Sequence, residues 1–292
     1  MIPKIIHYCW FGGNPLPKDA ERYIDSWRKF LPDYEIRRWD ETNFDVNAIP
    51  YIKEAYACGK YAFVSDYARF WILYNFGGLY FDTDVEVIKS LDDIIQAGPF
   101  MGVEQRTDDC ITVAPGLCIG AEKHNDLFRV MIDLYKGFHF LESDGSCCLK
   151  NVVEITTEVL LGHGLINTEE IQNCCGFDIY PKDYFCPIDY KTRELVITNN
   201  TRTIHHYAES WVPKSTKIKN AVARLFGQKF MSIMVKGKRF LKDIIRRVTC
   251  LSRTTSSPIP RMMRQMRYRS LSTKIPTVRS ISPTECICSQ SR

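Results

Sequence analysis

The sequence predicts an α/β protein built on a mostly parallel, doubly wound sheet with helices on both faces. Two observations carry that prediction. Between Ile2 and Ile88, apolar strand-like runs and amphipathic helical stretches alternate in β-α-β-α-β order, the pattern of parallel strands joined by right-handed crossovers. Glycines punctuate the same region where such a sheet needs them: Gly12-Gly13 follow the first strand, and Gly77-Gly78 separate a helix from the strand after it.

The elements follow in order. Ile2 to Trp10 reads as an apolar opening strand. Lys18 to Phe30 places Ala20, Tyr23, Ile24 and Trp27 on one helical face and is broken by Pro32-Asp33. Tyr34 to Trp39 is a strand, Asp40 to Asn43 a cap-rich turn, and Pro50 to Cys58 a short helix stopped by Gly59. Tyr61 onward carries Phe63, Val64, Tyr67, Ala68, Trp71 and Ile72 at three-and-four spacing, which predicts a packed helix interrupted by the polar pair Asp66 and Arg69, three apart on one side. Leu79 to Ile88 then alternates with a period of two, as one strand would, so Asp82 and Asp84 are expected on a single face.

Further on, Pro99 to Glu104 and Ile111 to Ile119 read as strands joined by the polar loop 105–109, placed where it could meet an acceptor. Asn125 to Tyr135 reads as a helix, Val152 to Leu161 as helix or strand, and Thr203 to Pro213 as a short strand passing into a turn.

Charge divides the chain. Lys and Arg number 20 through Pro213 and 19 beyond it, whereas Asp and Glu number 32 and 2, giving 20 − 32 = −12 and 19 − 2 = +17. The expected organisation is a catalytic-size domain over 1–213, a basic amphipathic helical segment over 214–250, and a disordered tail rich in Ser, Thr, Arg and Pro over 251–292. The basic segment suits an anionic membrane surface. Its few aromatic residues and lack of a recognition motif exclude nucleic acid as the expected partner.

No apolar run reaches the roughly 18–20 residues that span a bilayer, and no charged-then-apolar leader precedes Ile2. The expected location is the cytoplasm, peripherally associated with the cytoplasmic face of the membrane. The 12 cysteines are scattered and lack a zinc-type C-x₂-C pair, so buried free thiols are expected; Cys286-x-Cys288 is a weak soft-metal candidate.

Asp82-Thr83-Asp84 carries the chemistry. Two carboxylates that converge after the apolar run Leu79-Tyr80-Phe81 are costly unless paired or metal-bound. A hard divalent cation, Mn²⁺ or Mg²⁺, accepts one or two carboxylates and takes further ligands from substrate phosphates. Trp10, at the end of the opening strand, is a candidate base-stacking residue, and His7 reads as a satisfied core histidine rather than a ligand. Near the end of the acidic region, His206, Ser210 and Trp211 offer an imidazole, a hydroxyl and an indole N–H suited to a diphosphate leaving group.

These motifs, S-D-x-x-R at Ser65, Asp66 and Arg69, Y-x-x-G-G-x-Y-x-D-x-D from Tyr74 to Asp84, the opening I-P-K-x-I-H-x-x-W from Ile2 to Trp10, and H-H-x-x-x-S-W from His205 to Trp211, resemble glycosyltransferase family 32. That family includes α-mannosyltransferases and capsular-polysaccharide transferases, and its nucleotide-sugar domain is similar to that of the glucosylating toxins. Family members usually carry glycine where this chain has Glu209.

The resemblance implies a GT-A-like fold and a metal-dependent hexosyltransferase that retains anomeric configuration. Its donor would be a nucleotide diphosphate sugar, and its acceptor a saccharide or lipid-linked saccharide, as in capsular or surface polysaccharide synthesis. It also implies roles: Asp66, Arg69, Asp82 and Asp84 catalytic; Trp10, Ser65, Asp66, Arg69, His206, Ser210 and Trp211 binding the donor; and Asp82, Asp84 and His206 holding the metal. Two rivals are an inactive transferase-like protein that binds membranes or acts as a scaffold, and a metal-dependent phosphohydrolase, for which FDTDV stands too late in the chain.

Overall fold

The computed structural model describes residues 1–190 and 192–208. Its strands are β1 (Ile5–Cys9), β2 (Glu35–Trp39), β3 (Gly78–Tyr80), β4 (Val85–Val87), β5 (Phe100–Thr107), β6 (Cys110–Val113), β7 (Ile119–Ala121), β8 (Gln172–Cys174), β9 (Phe177–Tyr180) and β10 (Thr203–His205). Its helices are α1 (Lys18–Phe30), α2 (Pro50–Ala57), α3 (Tyr61–Phe76), α4 (Asp92–Ala97), α5 (Asp126–Lys136), α6 (Val152–Gly162) and α7 (Lys182–Phe185).

The principal sheet has the order β2-β1-β3-β7-β5-β9-β8, with β6 paired to β5. Strand β1 is parallel to β2 and β3, β7 runs against β3 and β5, and β9 is parallel to β5. Strands β2, β1, β3, β5 and β9 therefore point one way, so five of the eight strands are mutually parallel, while β7 near the middle, β8 at the edge and β6 beside β5 are reversed. Layers of core cover its two faces. Helices α2, α3, α5 and α6 bury Phe63, Val64, Phe128 and Ile155 together with Cys9, Tyr80 and Met101. Helices α1, α4 and α7 bury Trp27, Ile94 and Phe185 together with Ile6, Leu79 and Phe100. Adjacent residues Leu79 and Tyr80 fall in opposite layers, as strand alternation requires. The α/β prediction with helices on both faces is thus met.

Local features explain why the chain takes this form. Gly77 ends α3 at φ +64 and Gly78 follows at φ +102, and a Cβ on Gly78 would meet the Ile5 carbonyl at 2.5 Å. The two glycines both turn the chain and let β3 close against β1. His7, fully buried, accepts at Nδ1 from the Trp39 indole at 3.1 Å and donates from Nε2 to the Gly77 carbonyl at 2.9 Å. An indole only donates and a carbonyl only accepts, so the contacts fix a neutral ring protonated on Nε2. It is the core histidine that the sequence suggested.

Several boundaries differ from the sequence reading. The opening strand begins at Ile5. The run from Leu79 to Ile88 is two strands in two sheets, because the chain turns at Phe81 to Asp84 and β4 pairs with β10 instead of continuing beside β1. Ile111 to Ile119 is likewise split into β6 and β7 by the Ala114 to Leu117 turn. The polar loop expected over 105–109 is mostly strand, leaving a tight reversal at Asp108-Asp109. Val152 to Leu161 resolves as helix, its start fixed by a capping box between Asn151 and Glu154.

All nine described cysteines are free; Cys9, Cys118, Cys174 and Cys186 are buried as expected, whereas Cys147, Cys148 and Cys175 are partly buried and Cys58 and Cys110 exposed. None of the described helices is long and apolar enough to cross a membrane. The segments 214–250 and 251–292, including Cys286 and Cys288, lie outside the described residues.

Candidate active site

The turn Phe81 to Asp84 joins the principal sheet to the β4-β10 ribbon and is held at both ends. The Phe81 N–H donates to the His7 carbonyl at 3.1 Å, the Asp82 N–H to the Gly116 carbonyl at 2.9 Å, and the Val85 N–H back to the Asp82 carbonyl at 3.1 Å. Helix α1 anchors the far side, where the Trp27 indole donates to the Val85 carbonyl at 2.8 Å and the Ser26 hydroxyl accepts from the Val87 N–H at 2.9 Å. Asp82 and Asp84 therefore sit in a braced turn at the carboxyl end of β3, not on one strand face.

Their partners come from three elements. Arg69, on α3 and almost fully buried, places Nη2 at 2.9 Å from Asp66 Oδ1 and 3.4 Å from Asp82 Oδ1, while its guanidinium lies 4.8 Å from the Tyr80 ring centroid. The Tyr80 hydroxyl donates to Asp82 Oδ1 at 3.2 Å. Arg69 Nη1 is buried without a hydrogen-bond partner among the described residues. Gly116 lies over both groups: a Cβ there would stand 1.9 Å from Asp82 Oδ2 and 2.9 Å from Arg69 Nη1. Only glycine fits that position without displacing the carboxylate.

Asp84 is bound by the returning chain. His205 Nε2 lies 3.2 Å from Asp84 Oδ1, and the Ala208 N–H donates to Asp84 Oδ2 at 2.8 Å. Ligand atoms of Asp82, Asp84 and His205 all lie within 4.8 Å of one another, the one such group of three among the described residues. Two carboxylates and an imidazole at that spacing form a donor set able to hold a divalent cation and leave positions open for phosphate oxygens.

The electrostatics separate the acids. Burial pushes the Asp84 carboxyl up, but His205 and the Ala208 N–H outweigh it and bring the pKa down to about 2. For His205, burial acts to lower the pKa, and Asp84 more than reverses that, holding the ring well above the usual histidine value. Asp66 goes the other way. Its burial raises the pKa to about 7 against the pull of Arg69, with Asp82 adding to the rise and the Val152 N–H opposing it from 3.3 Å.

The structure brings together Asp66, Arg69, Asp82 and Asp84. It does not bring His206 to them. Strand β10 pairs His205 with Val85 and ends there. The next ring is directed away, to Glu86 Oε2 at 2.7 Å and onto Tyr23 with centroids 4.4 Å apart. His205 takes the place expected for His206; the register of a three-residue strand decides which histidine faces the aspartates, and the sequence does not display that register. Ser65 donates its hydroxyl to the Ala62 carbonyl one turn earlier. Trp10 follows β1 at the same edge of the sheet and donates its indole N–H to the Asn14 carbonyl at 2.7 Å. Ser210 and Trp211 lie outside the described residues.

Sequence reasoning missed His205 as the facing histidine, Gly116 and Glu104. The H-H pair marked the first, but nothing local marks the other two.

Known proteins resemble this chain over part of its length. Residues 17–101 match the family model described as a glycosyltransferase sugar-binding region containing a DXD motif, a span that includes Asp66, Arg69, Asp82 and Asp84. An uncharacterized glycosyltransferase of Acanthamoeba polyphaga mimivirus is 29% identical over 152 residues, covering 50% of this chain and 59% of that one. Inositol phosphoceramide mannosyltransferase 3 of Schizosaccharomyces pombe is 32% identical over 101 residues, covering 32% of this chain and 27% of its own length. The chain thus spans less than two thirds of each of these relatives. Among solved structures, the PaToxG glycosyltransferase aligns with a TM-score of 0.40 and 19% identity over 55% of this chain and 69% of that one. Through its sugar-binding region and its paired aspartates, the chain is similar to the DXD sugar transferases of the family 32 type.

Proposed function

We propose that the protein transfers a hexose from a nucleotide diphosphate sugar to a saccharide or lipid-linked saccharide acceptor, with a divalent cation held by Asp82, Asp84 and His205. The observation that carries this reading is the convergence of those three side chains within 4.8 Å at the carboxyl end of β3. In α/β sheets, ligands bind beyond the carboxyl ends of the strands. The residues fit Mn²⁺ or Mg²⁺, hard cations that take oxygen and imidazole ligands while leaving room for substrate. When bound, such an ion supplies charge neutralisation for a departing diphosphate.

The chain's own residues do the rest. Arg69 commits Nη2 to Asp66 and Asp82 and holds the Asp82 carboxylate from behind. Its remaining Nη1, buried and without a hydrogen-bond partner among the described residues, adds positive charge beside the leaving group. Asp66 is closed in by Arg69 and Val152, so its part is to fix Arg69 rather than to meet sugar hydroxyls. Trp10 lies at the carboxyl end of β1, where a nucleotide base would stack, and Ser210 and Trp211 remain donor-binding candidates by their motif.

Retention of configuration, a role in capsular or surface polysaccharide synthesis, a domain ending at 213, and attachment of 214–250 to the cytoplasmic face of an anionic membrane belong to the same proposal. The names of the yeast relatives, which act on an inositol phosphoceramide, favour an acceptor carried on lipid. The test is slow hydrolysis of a panel including GDP-mannose and UDP-glucose with Mn²⁺. Activity with one donor that disappears in Asp84→Asn is expected, and binding of neither nucleotide nor Mn²⁺ would overturn the reading.

A further inference from the structure

The transfer proposed above leaves the acceptor without a place, and a second site stands on the same edge of the sheet. Strands β1, β3, β5 and β9 point one way, so the ends of β5 and β9 lie on the edge that carries Asp82 and Asp84. There a cavity of about 810 Å³ is lined by Val103, Arg106, Glu169, Lys182, Tyr184 and Asn200 among others. Its volume is within the range of about 300–1,000 Å³ typical of ligand sites.

The lining selects a class of ligand. Tyr184 offers a half-buried aromatic ring. Around it stand planar polar groups: Arg106 donates to Glu169 Oε1 at 2.6 Å, and Asn200 Nδ2 donates to Asp183 Oδ2 at 3.1 Å. Three acids, Glu169, Glu170 and Asp183, face two cations, Arg106 and Lys182, so a free anion gains little here. Charged groups on both sides disfavour an acyl chain. A neutral sugar ring, apolar on its C–H face and rimmed with hydroxyls, matches both features.

Glu104 connects this cavity to the metal-binding cluster. The pairing of β5 with β6 shifts register between Val103 and Gln105, so Glu104 is the extra residue of a bulge, a device that re-aims a side chain. Its carboxylate makes no hydrogen bond or ion pair among the described residues. Its electrostatic neighbours are His205, Asp82, Asp84 and Tyr207, together with Lys182 of the cavity wall, and Val103 beside it in β5 also lines the cavity.

We infer that this cavity is the acceptor subsite, that it takes a neutral saccharide, and that Glu104 accepts a hydrogen bond from the acceptor hydroxyl nearest the Asp82, Asp84 and His205 cluster. The inference rests on the donor-site reading above.

Saturation-transfer NMR on the full chain tests it, with UDP, GDP and Mg²⁺ present and the methyl α- and β-pyranosides of glucose, galactose and mannose as probes. At least one glycoside is expected to give a signal. That signal should weaken about tenfold or more in affinity in Tyr184→Ala, Asn200→Ala and Glu104→Gln. Exchanging Mg²⁺ for Mn²⁺ should broaden the same glycoside protons, as the proposed contact of Glu104 with both the acceptor and the cluster requires. Asn200 is exposed, so its variant keeps the test valid if Tyr184→Ala fails to fold.

No signal from any glycoside, or equal affinity in all three variants, overturns the inference. Calorimetric binding of UDP and GDP to the same samples separates the two failures. Nucleotide bound without glycoside removes the acceptor subsite alone, whereas glycoside bound without nucleotide removes the donor reading and leaves a saccharide site.

Discussion

The Arg69 guanidinium lies 3.4 Å from the Asp82 carboxylate with only a few per cent of its side chain exposed, so one half of the aspartate pair is held by a buried cation while its own carboxylate stays one third exposed. Burial works against the charge on Arg69, and Asp82, ahead of Tyr80 and Asp66, more than restores it. Replacing Arg69 by Met leaves Asp66 and Asp82 uncompensated, and the expected loss is about 3–5 kcal/mol of folding stability. Urea unfolding measures it. Arg69→Lys keeps the charge but not the fork, and should lose catalysis beyond its smaller loss of stability.

Gly116 sets the position of the same carboxylate from the opposite side. A methyl group placed 1.9 Å from Asp82 Oδ2 cannot be accommodated without moving one of them. Gly116→Ala should therefore weaken Mn²⁺ binding by at least about tenfold, roughly 1.4 kcal/mol. Because the displaced carboxylate is also the partner of the buried Arg69, whose Nη1 would stand 2.9 Å from the new Cβ, the melting temperature should fall as well. Calorimetric titration with Mn²⁺ and a thermal scan of one sample check both parts.

The two adjacent histidines should behave differently. His205→Asn removes a group within reach of both aspartates, and a loss in Mn²⁺ affinity of about tenfold or more is expected. His206→Asn breaks a contact with Glu86 and a stack on Tyr23 and should leave that affinity near wild type. Equal losses in the two variants would contradict the placement of β10.

His7 gives the fold an acid limit. Burial, ahead of every other influence, lowers its pKa from 6.5 to about 4. Between those values the unfolded chain binds a proton that the folded chain does not. Stability from this group is therefore fully present above pH 6.5 and is lost as the pH falls toward 4, by about 3 kcal/mol. Urea unfolding at a series of pH values measures the slope. His7→Gln can still accept from Trp39 and donate to Gly77, and should flatten it.

Much of this was legible in the sequence where periodicity alone decides structure. Helix α1 runs over the predicted Lys18 to Phe30 because four apolar residues at helical spacing meet a proline stop, and the double glycine marks the end of α3 for the same local reasons. The split of Leu79 to Ile88 was not legible. Phe81 and Val85 are both buried, so the alternation persists while the backbone passes from one sheet to another. Glu104 was hidden because its role comes from a bulge, which depends on the pairing of β5 with β6. Gly116 lies 34 residues from Asp82 (116 − 82), and only the folded turn shows why it lacks a side chain.

The β4-β10 ribbon also governs when the site can exist. The Ala208 N–H that binds Asp84 comes from 124 residues further along the chain, and His205 arrives with it. A polypeptide emerging from the ribosome therefore presents both carboxylates, and all of residues 17–101, long before the imidazole that completes the donor set. Loop closure over that distance makes ribbon pairing a late event in folding, because its entropy cost must be met before the contacts are gained. Any fragment that stops short of β10 holds the two aspartates but lacks His205, and with it the third member of the candidate donor set.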